Sequence, residues 1–183
     1  MGTVQSFRGI RFGEMISTRL NDAAAAEYLG EKYRKFISLL GQNKKLSHLV
    51  STSTADQPLT IFAPSSEAFA KLDRGVVGKL RDPRNGEVLD KVTNYHVVQR
   101  HLKADEIFKA AAVVTMGGEV PVTKSKSGGF LGVGAKEDGG VALNGGRIET
   151  SVEVGNCIIH QVDTLINPYL LYRFLDAVRL PGT

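Results

Sequence analysis

One change of texture limits what this chain can become. Up to about Arg100 the apolar residues recur at helical spacing, and beyond it short β-branched runs alternate with paired glycines. Helices first and strands afterwards exclude a sheet wound from alternating strand and helix units, and they define an α+β fold. In the first half, Asp22 is placed to cap a helix over Ala23 to Glu27, and Gly30 interrupts it. Tyr33, Phe36, Ile37 and Leu40 then predict an amphipathic helix ending near Gly41, and Leu46, Leu49 and Val50 predict a second turn of helix. Ser51 to Pro58 reads as a polar loop. Leu59 to Ala63 reads as a strand stopped by Pro64, followed by a helix capped by Ser65 or Ser66 and carrying Ala68, Phe69 and Leu72. From Gly75 to Val98 the pattern predicts two short helices.

The second half reads as a β meander. Val113 to Thr115, Val120 to Thr123, Gly129 to Val133, Val141 to Leu143, Arg147-Ile148 and Val152 to Val162 are its strands. Gly117-Gly118, Gly128-Gly129, Gly139-Gly140 and Asn144-Gly145-Gly146 supply tight turns. Asn167 to Val178 returns to helical spacing before Pro181-Gly182. With 42% of 183 residues apolar, about 77 side chains can enter a core, enough for one domain and not two. No apolar run approaches the roughly 18 to 20 residues of a bilayer-spanning helix, so no transmembrane segment is expected.

Charge is unevenly placed. Residues 1 to 70 carry 8 basic and 6 acidic groups, residues 71 to 103 carry 8 and 4, and residues 104 to 183 carry 7 and 9. In the basic middle part Arg74, Lys79, Arg81, Arg84 and Lys91 alternate with Asp73, Asp82, Glu87 and Asp90, the pattern of a solvated helical surface and not of a nucleic-acid face. Cys157 is the single cysteine, so no intrachain disulfide forms. No Asn begins a glycosylation sequon and the first twenty residues lack a secretory pattern, which favours an interior compartment unless a signal has been removed. Met1-Gly2-Thr3-Val4-Gln5-Ser6 fits the loose myristoylation pattern, and Arg8, Arg11 and Arg19 against Glu14 fit an organelle transit segment. A polar arm that packs on the domain or on a partner explains the same residues.

Catalytic and cofactor patterns are not in evidence. Gly132-Val133-Gly134 lacks the strand-to-helix setting of a phosphate cradle, and His48, His96, His101 and His160 include no pair at zinc spacing. Cys157 and His160 stand three apart on one expected strand, so their side chains face opposite ways. Asp105-Glu106 and Glu137-Asp138 fall near element ends, where capping and turns account for them. No catalytic residue, metal ligand or cofactor site is expected, and the chain reads as no enzyme.

Three separated stretches carry a resemblance. Thr60 to Phe69 (TIFAPSSEAF), Tyr95-His96-Val97-Val98, and Gly155 to Ile166 (GNCIIHQVDTLI) resemble, in order, the H1, Tyr-His and H2 motifs of the fasciclin (FAS1) domain. The resemblance covers about residues 30 to 168 and implies an α+β domain with a FAS1-like β-wedge packed with a group of α-helices. It also implies a non-enzymatic protein-interaction role, with Tyr95 and His96 in the region associated with integrin adhesion. Cys157 stands where the family commonly has Gly, and Lys124 to Gly140 looks like a lengthened hairpin. The motif residues also make sense as structure: Ile61, Phe62, Phe69, Ile158 and Val162 as core, Thr60 and Asn156 as partners for backbone groups, and His96 as an internal hydrogen-bonding group.

The expected organisation is an N-terminal arm (1–29), the FAS1-like domain (30–168) and a C-terminal helical extension (169–183). Expected partner-binding residues are Phe7, Arg8, Ile10, Arg11 and Phe12 in the arm, Tyr95 and His96 in the domain, and Tyr169, Tyr172 and Phe174 in the extension. The function expected is that of an accessory or structural subunit of a larger assembly, intracellular and organellar (mitochondrion or plastid), with peripheral association to a membrane complex. The alternative is an extracellular adhesion or matrix module. Partners are expected to be proteins and not nucleic acid.

Overall fold

The computed structural model describes residues 32–51, 53, 56–72, 74–127, 136–154 and 157–166. Helix α1 (Arg34–Leu40) turns Phe36, Leu39 and Leu40 inward and ends at Gly41. Asn43 begins α2 (Lys44–Ser51): its Oδ1 accepts from the Leu46 amide at 3.1 Å, satisfying a donor that the first turn leaves free. Strand β1 (Leu59–Pro64) is buried along its whole length and includes Pro64 as its last residue. Ser65, rather than Ser66, caps α3 (Ser66–Ala70), its Oγ accepting from the Ala68 amide at 3.1 Å. Helix α4 (Arg74–Arg81), a 3-10 turn (Pro83–Asn85) and α5 (Gly86–Asn94) follow.

The helical reading of Gly75 to Val98 runs too far. Helix α5 stops at Asn94, and Val97–Val98 form β2, antiparallel to β1 with Ile61 opposite Val97 and Thr60 opposite Val98. Both residues are β-branched and buried, and the Phe62 amide takes the His96 carbonyl at 2.8 Å, so the backbone there belongs to the sheet. A further helix, α6 (Ala104–Lys109), lies where the sequence showed only the acidic pair Asp105-Glu106; these two occupy its first turn and Ile107 is its buried anchor.

Strands β3 (Ala112–Thr115), β4 (Gly118–Ser127), β5 (Lys136–Leu143), β6 (Gly146–Val154) and β7 (Cys157–Val162) pair in succession, each antiparallel to the next. This is the expected meander, but its last part divides differently: β6 is continuous through Arg147 and Val152, and β7 is a separate strand. The β5–β6 turn has Asn144 at φ 45° and Gly145 at φ 89°, the left-handed pair that a two-residue hairpin needs. The seven-stranded sheet has the order β2-β1-β7-β6-β5-β4-β3. The sequence did not indicate that β7 lies parallel to β1, Leu59 opposite Cys157 through Pro64 opposite Val162. At the two ends of this order the Met116 amide donates to the Val97 carbonyl at 2.8 Å, so the sheet curls until its edges meet.

The curl creates two cores, one on each face of β1 and β7. Leu59, Ile61, Ala63, Cys157 and Ile159 point to the helices, joining Phe36, Leu40, Leu46, Phe69 and Val92. Phe62 and Val162 point into the curl, joining Val98, Leu102, Ile107, Val120 and Leu143. Alternation along two central strands therefore sets both layers, and the α+β wedge packed with helices is the architecture found. The predicted helices over Ala23 to Glu27 and Asn167 to Val178, and the strand over Gly129 to Val133, lie outside the described residues.

Candidate functional site

The segment where α5 hands over to β2 carries polar contacts between the layers. His96 is fully buried, its ring 5.1 Å from that of Phe36. The Ile166 amide donates to His96 Nε2 at 3.0 Å, so the proton resides on Nδ1, which donates to the Val92 carbonyl at 2.8 Å. Burial pushes the imidazole pKa down to about 4, against a smaller upward pull from the Val92 carbonyl. His96 thus ties α5 to the chain beyond β7 as a neutral group.

Tyr95 is half-buried and packs against the tip of the β3–β4 hairpin. A Cβ on Gly117 would stand 2.7 Å from the Tyr95 ring and 2.8 Å from its amide nitrogen, so only glycine fits this approach. The Gly117 amide donates to the Asn94 carbonyl at 3.1 Å and to Thr115 Oγ1 at 3.2 Å, which fastens the tip. Thr60 and His160 do similar work on the other side. Thr60 Oγ1 donates to the Arg100 carbonyl at 2.7 Å and accepts from the Leu102 amide at 2.9 Å. His160 Nε2 donates to the Leu102 carbonyl at 2.7 Å, and its Nδ1 accepts from Ser151 Oγ at 2.7 Å. The ring stacks on Phe62, centroids 5.4 Å apart, and burial lowers its pKa.

Cys157 is buried in the helical-side core with its Sγ 3.9 Å from Ser53 Oγ, while His160 lies on the opposite face of β7, as alternation required. Among the described residues no three His, Cys, Asp or Glu gather as a metal site, and no helix is long and apolar enough to cross a membrane.

The surface offers something the sequence reading missed. Val114 is 71% exposed in β3 and Met116 37% at the tip of the same hairpin, which docks on Tyr95. Phe108 is 40% exposed at the end of α6, with Lys124 Nζ 3.1 Å from its ring centroid. Val113-Val114 carried part of the signal: neighbours on a strand face opposite sides, so both are buried only where each face is covered, as at Val97-Val98. Of the expected partner-binding residues, the structure places Tyr95 at this surface and His96 beneath it. Phe7, Arg8, Ile10, Arg11, Phe12, Tyr169, Tyr172 and Phe174 lie outside the described residues.

The fasciclin domain model matches residues 31–168, and the chain belongs to the fasciclin domain family. Protein sll1483 of Synechocystis is 34% identical over 125 residues, which cover 68% of this chain and 63% of that protein. Stabilin-2 of Mus musculus is 28% identical over 125 residues, 67% of this chain and 5% of that protein. The chain therefore spans less than two thirds of the length of these relatives. The FAS1 domain pair of the insect cell adhesion molecule fasciclin I shares the fold, with a TM-score of 0.50 and 21% identity over 76% of this chain and 47% of that chain.

Proposed function

We propose that this chain is a non-enzymatic protein-interaction module, an accessory or structural subunit that docks on a larger assembly through the β3–β4 hairpin beside Tyr95. The observation that carries the reading is the outward display of Val114 and Met116 on a hairpin anchored by backbone bonds to Val97 and Asn94. Water-exposed apolar side chains on a held element are what a partner covers. Membership of the fasciclin family supports the same reading. Cys157, the single cysteine of the sequence, is buried, which suits an intracellular or organellar assembly.

The test is a native pull-down from fractionated cells with the parent chain and with the double variant Val114→Glu, Met116→Glu. Both substitutions sit at exposed positions, so thermal unfolding should remain cooperative while the partner is lost. The reading fails if the folded variant recovers the same partners. Recovery of matrix or cell-surface proteins would instead favour the adhesion reading.

A further inference from the structure

The β3–β4 hairpin displays a single charge. Between Lys109 and Lys124 the only charged residue is Glu119, in a chain whose net charge is +4. The ladder sets Glu119 directly opposite Val114, and Pro121 opposite Ala112. Opposed side chains on one face of an antiparallel pair stand about 4.5–5.5 Å apart at Cβ. Val113, Thr115 and Val120 turn inward and are buried, so the outer face presents Val114, Glu119 and Pro121, with Met116 exposed at the tip. Tyr95 adjoins this face, for its hydroxyl would stand 3.5 Å from a Cβ on Gly118.

The carboxylate has no cation of its own. The salt bridges among the described residues join Asp82 with Arg84, Arg100 with Glu106 and Lys103 with Glu153, and none includes Glu119. Lys124 falls on the other face of β4 by alternation, its Nζ 3.1 Å from the centroid of the Phe108 ring, and Lys109 belongs to the last turn of α6. A partner that covers Val114 must also cover Glu119, one strand away. Beneath a purely apolar surface the carboxylate would lose its water and gain no partner, a penalty larger than the gain from burying one valine. The backbone bonds from Met116 to Val97 and from Gly117 to Asn94 hold the hairpin, so the two side chains are offered together.

We propose that this face takes a protein segment presenting an arginine between apolar side chains. The guanidinium supplies a charge and two donors in the plane of the carboxylate, and its apolar neighbours cover Val114 and Met116. The phosphates of a nucleic acid or of a membrane surface would meet Glu119 with no cation on the face to offset it. A second copy docked about a twofold axis at Val114 would bring Glu119 toward its own image. The inference rests on the reading of this hairpin as the docking surface and names the chemistry of what docks there.

Amide correlation spectra of the full chain, titrated with the blocked peptide Gly-Leu-Arg-Leu-Gly, test it. Shifts should concentrate at Tyr95, Val114, Met116 and Glu119. The peptide Gly-Leu-Gln-Leu-Gly should bind the parent about fivefold more weakly, and the variant Glu119→Gln should bind the two peptides alike, because only the carboxylate tells them apart. Gly-Ser-Arg-Ser-Gly should also bind the parent more weakly, having nothing to place on Val114 and Met116. Glu119 is exposed, so Glu119→Gln should keep the thermal midpoint of the parent. The proposal is overturned if these amides do not shift in the parent, or if Glu119→Gln keeps the preference for arginine. It is equally overturned if the same amides respond more strongly to phosphatidylserine vesicles, or to the concentration of the protein alone. None of these outcomes touches the pull-down with Val114→Glu, Met116→Glu, which can lose its partner whether or not that partner carries an arginine, so the two readings fall separately.

Discussion

His96 shows how a single side chain can hold two layers together only while it is uncharged. Its Nε2 must accept from Ile166 and its Nδ1 must donate to Val92, so a second ring proton would face the Ile166 N–H with no acceptor. In an unfolded chain the imidazole titrates near 6.5, and in the fold near 4. Above pH 6.5 both states are neutral and the full stability is present. As pH falls toward 4, the unfolded chain takes up a proton that the folded chain refuses, and stability drops. Titration near 4 in place of 6.5 corresponds to about 3 kcal/mol, and the lowered pKa of His160 acts in the same direction. Urea midpoints at neutral pH and near pH 4 should therefore differ, with the acid midpoint lower; a flat profile would remove His96 from this role. Thr60 offers a pH-independent counterpart. Thr60→Val keeps the volume but leaves the buried Leu102 amide without its acceptor, and chemical denaturation should report a loss of about 1–3 kcal/mol.

At the scale of elements, the β3–β4 hairpin depends on the absence of a Cβ at Gly117. Gly117→Ala would drive a methyl into the Tyr95 ring and backbone, and neither the half-buried ring nor the peptide can move away without disturbing β2. The expected outcome is a loss of about 1–3 kcal/mol, with faster hydrogen exchange at the Met116 and Gly117 amides; unchanged protection would show that the tip is held elsewhere. These contacts also mark where the sequence was readable and where it was not. The Asn144-Gly145 turn and a serine cap after Pro64 follow from local chemistry and were legible, the choice of Ser65 over Ser66 being made by the structure. Val97–Val98 looked like the tail of a helix because its strand pairing is supplied by β1, more than thirty residues earlier. The parallel partnership of β1 with β7 joins residues almost a hundred positions apart, and no local pattern encodes it. Tyr95, which stands in a motif, packs against the β3–β4 hairpin. Val114 and Met116 belong to no motif, and an apolar residue in a strand reads as core until the sheet shows which of its faces is left uncovered.

For the whole molecule, the decisive fact is that both cores share β1 and β7. Phe62 and Phe69 stand seven residues apart in the first motif, yet Phe62 packs in the curl of the sheet and Phe69 among the helices. Phe62→Ala should cost about 3–5 kcal/mol by the lost contacts and the cavity left against His160 and its neighbours. That loss enters the curl, but it should be felt everywhere. Helices α1, α2 and α5 pack on the face of β1 and β7 that carries Leu59, Ile61 and Ile159, so they have no core of their own once these strands separate. The hairpins in turn close on Phe62 and Val162, the other face of the same strands. Helix content, followed by far-ultraviolet circular dichroism, and the curl, followed by hydrogen exchange at Val113 and Val120, should therefore unfold at one urea midpoint. Phe62→Ala should lower both midpoints together. If the helical signal of the variant keeps the parent midpoint while exchange in the hairpin accelerates, the two layers are separate folding units and the shared strands do not couple them.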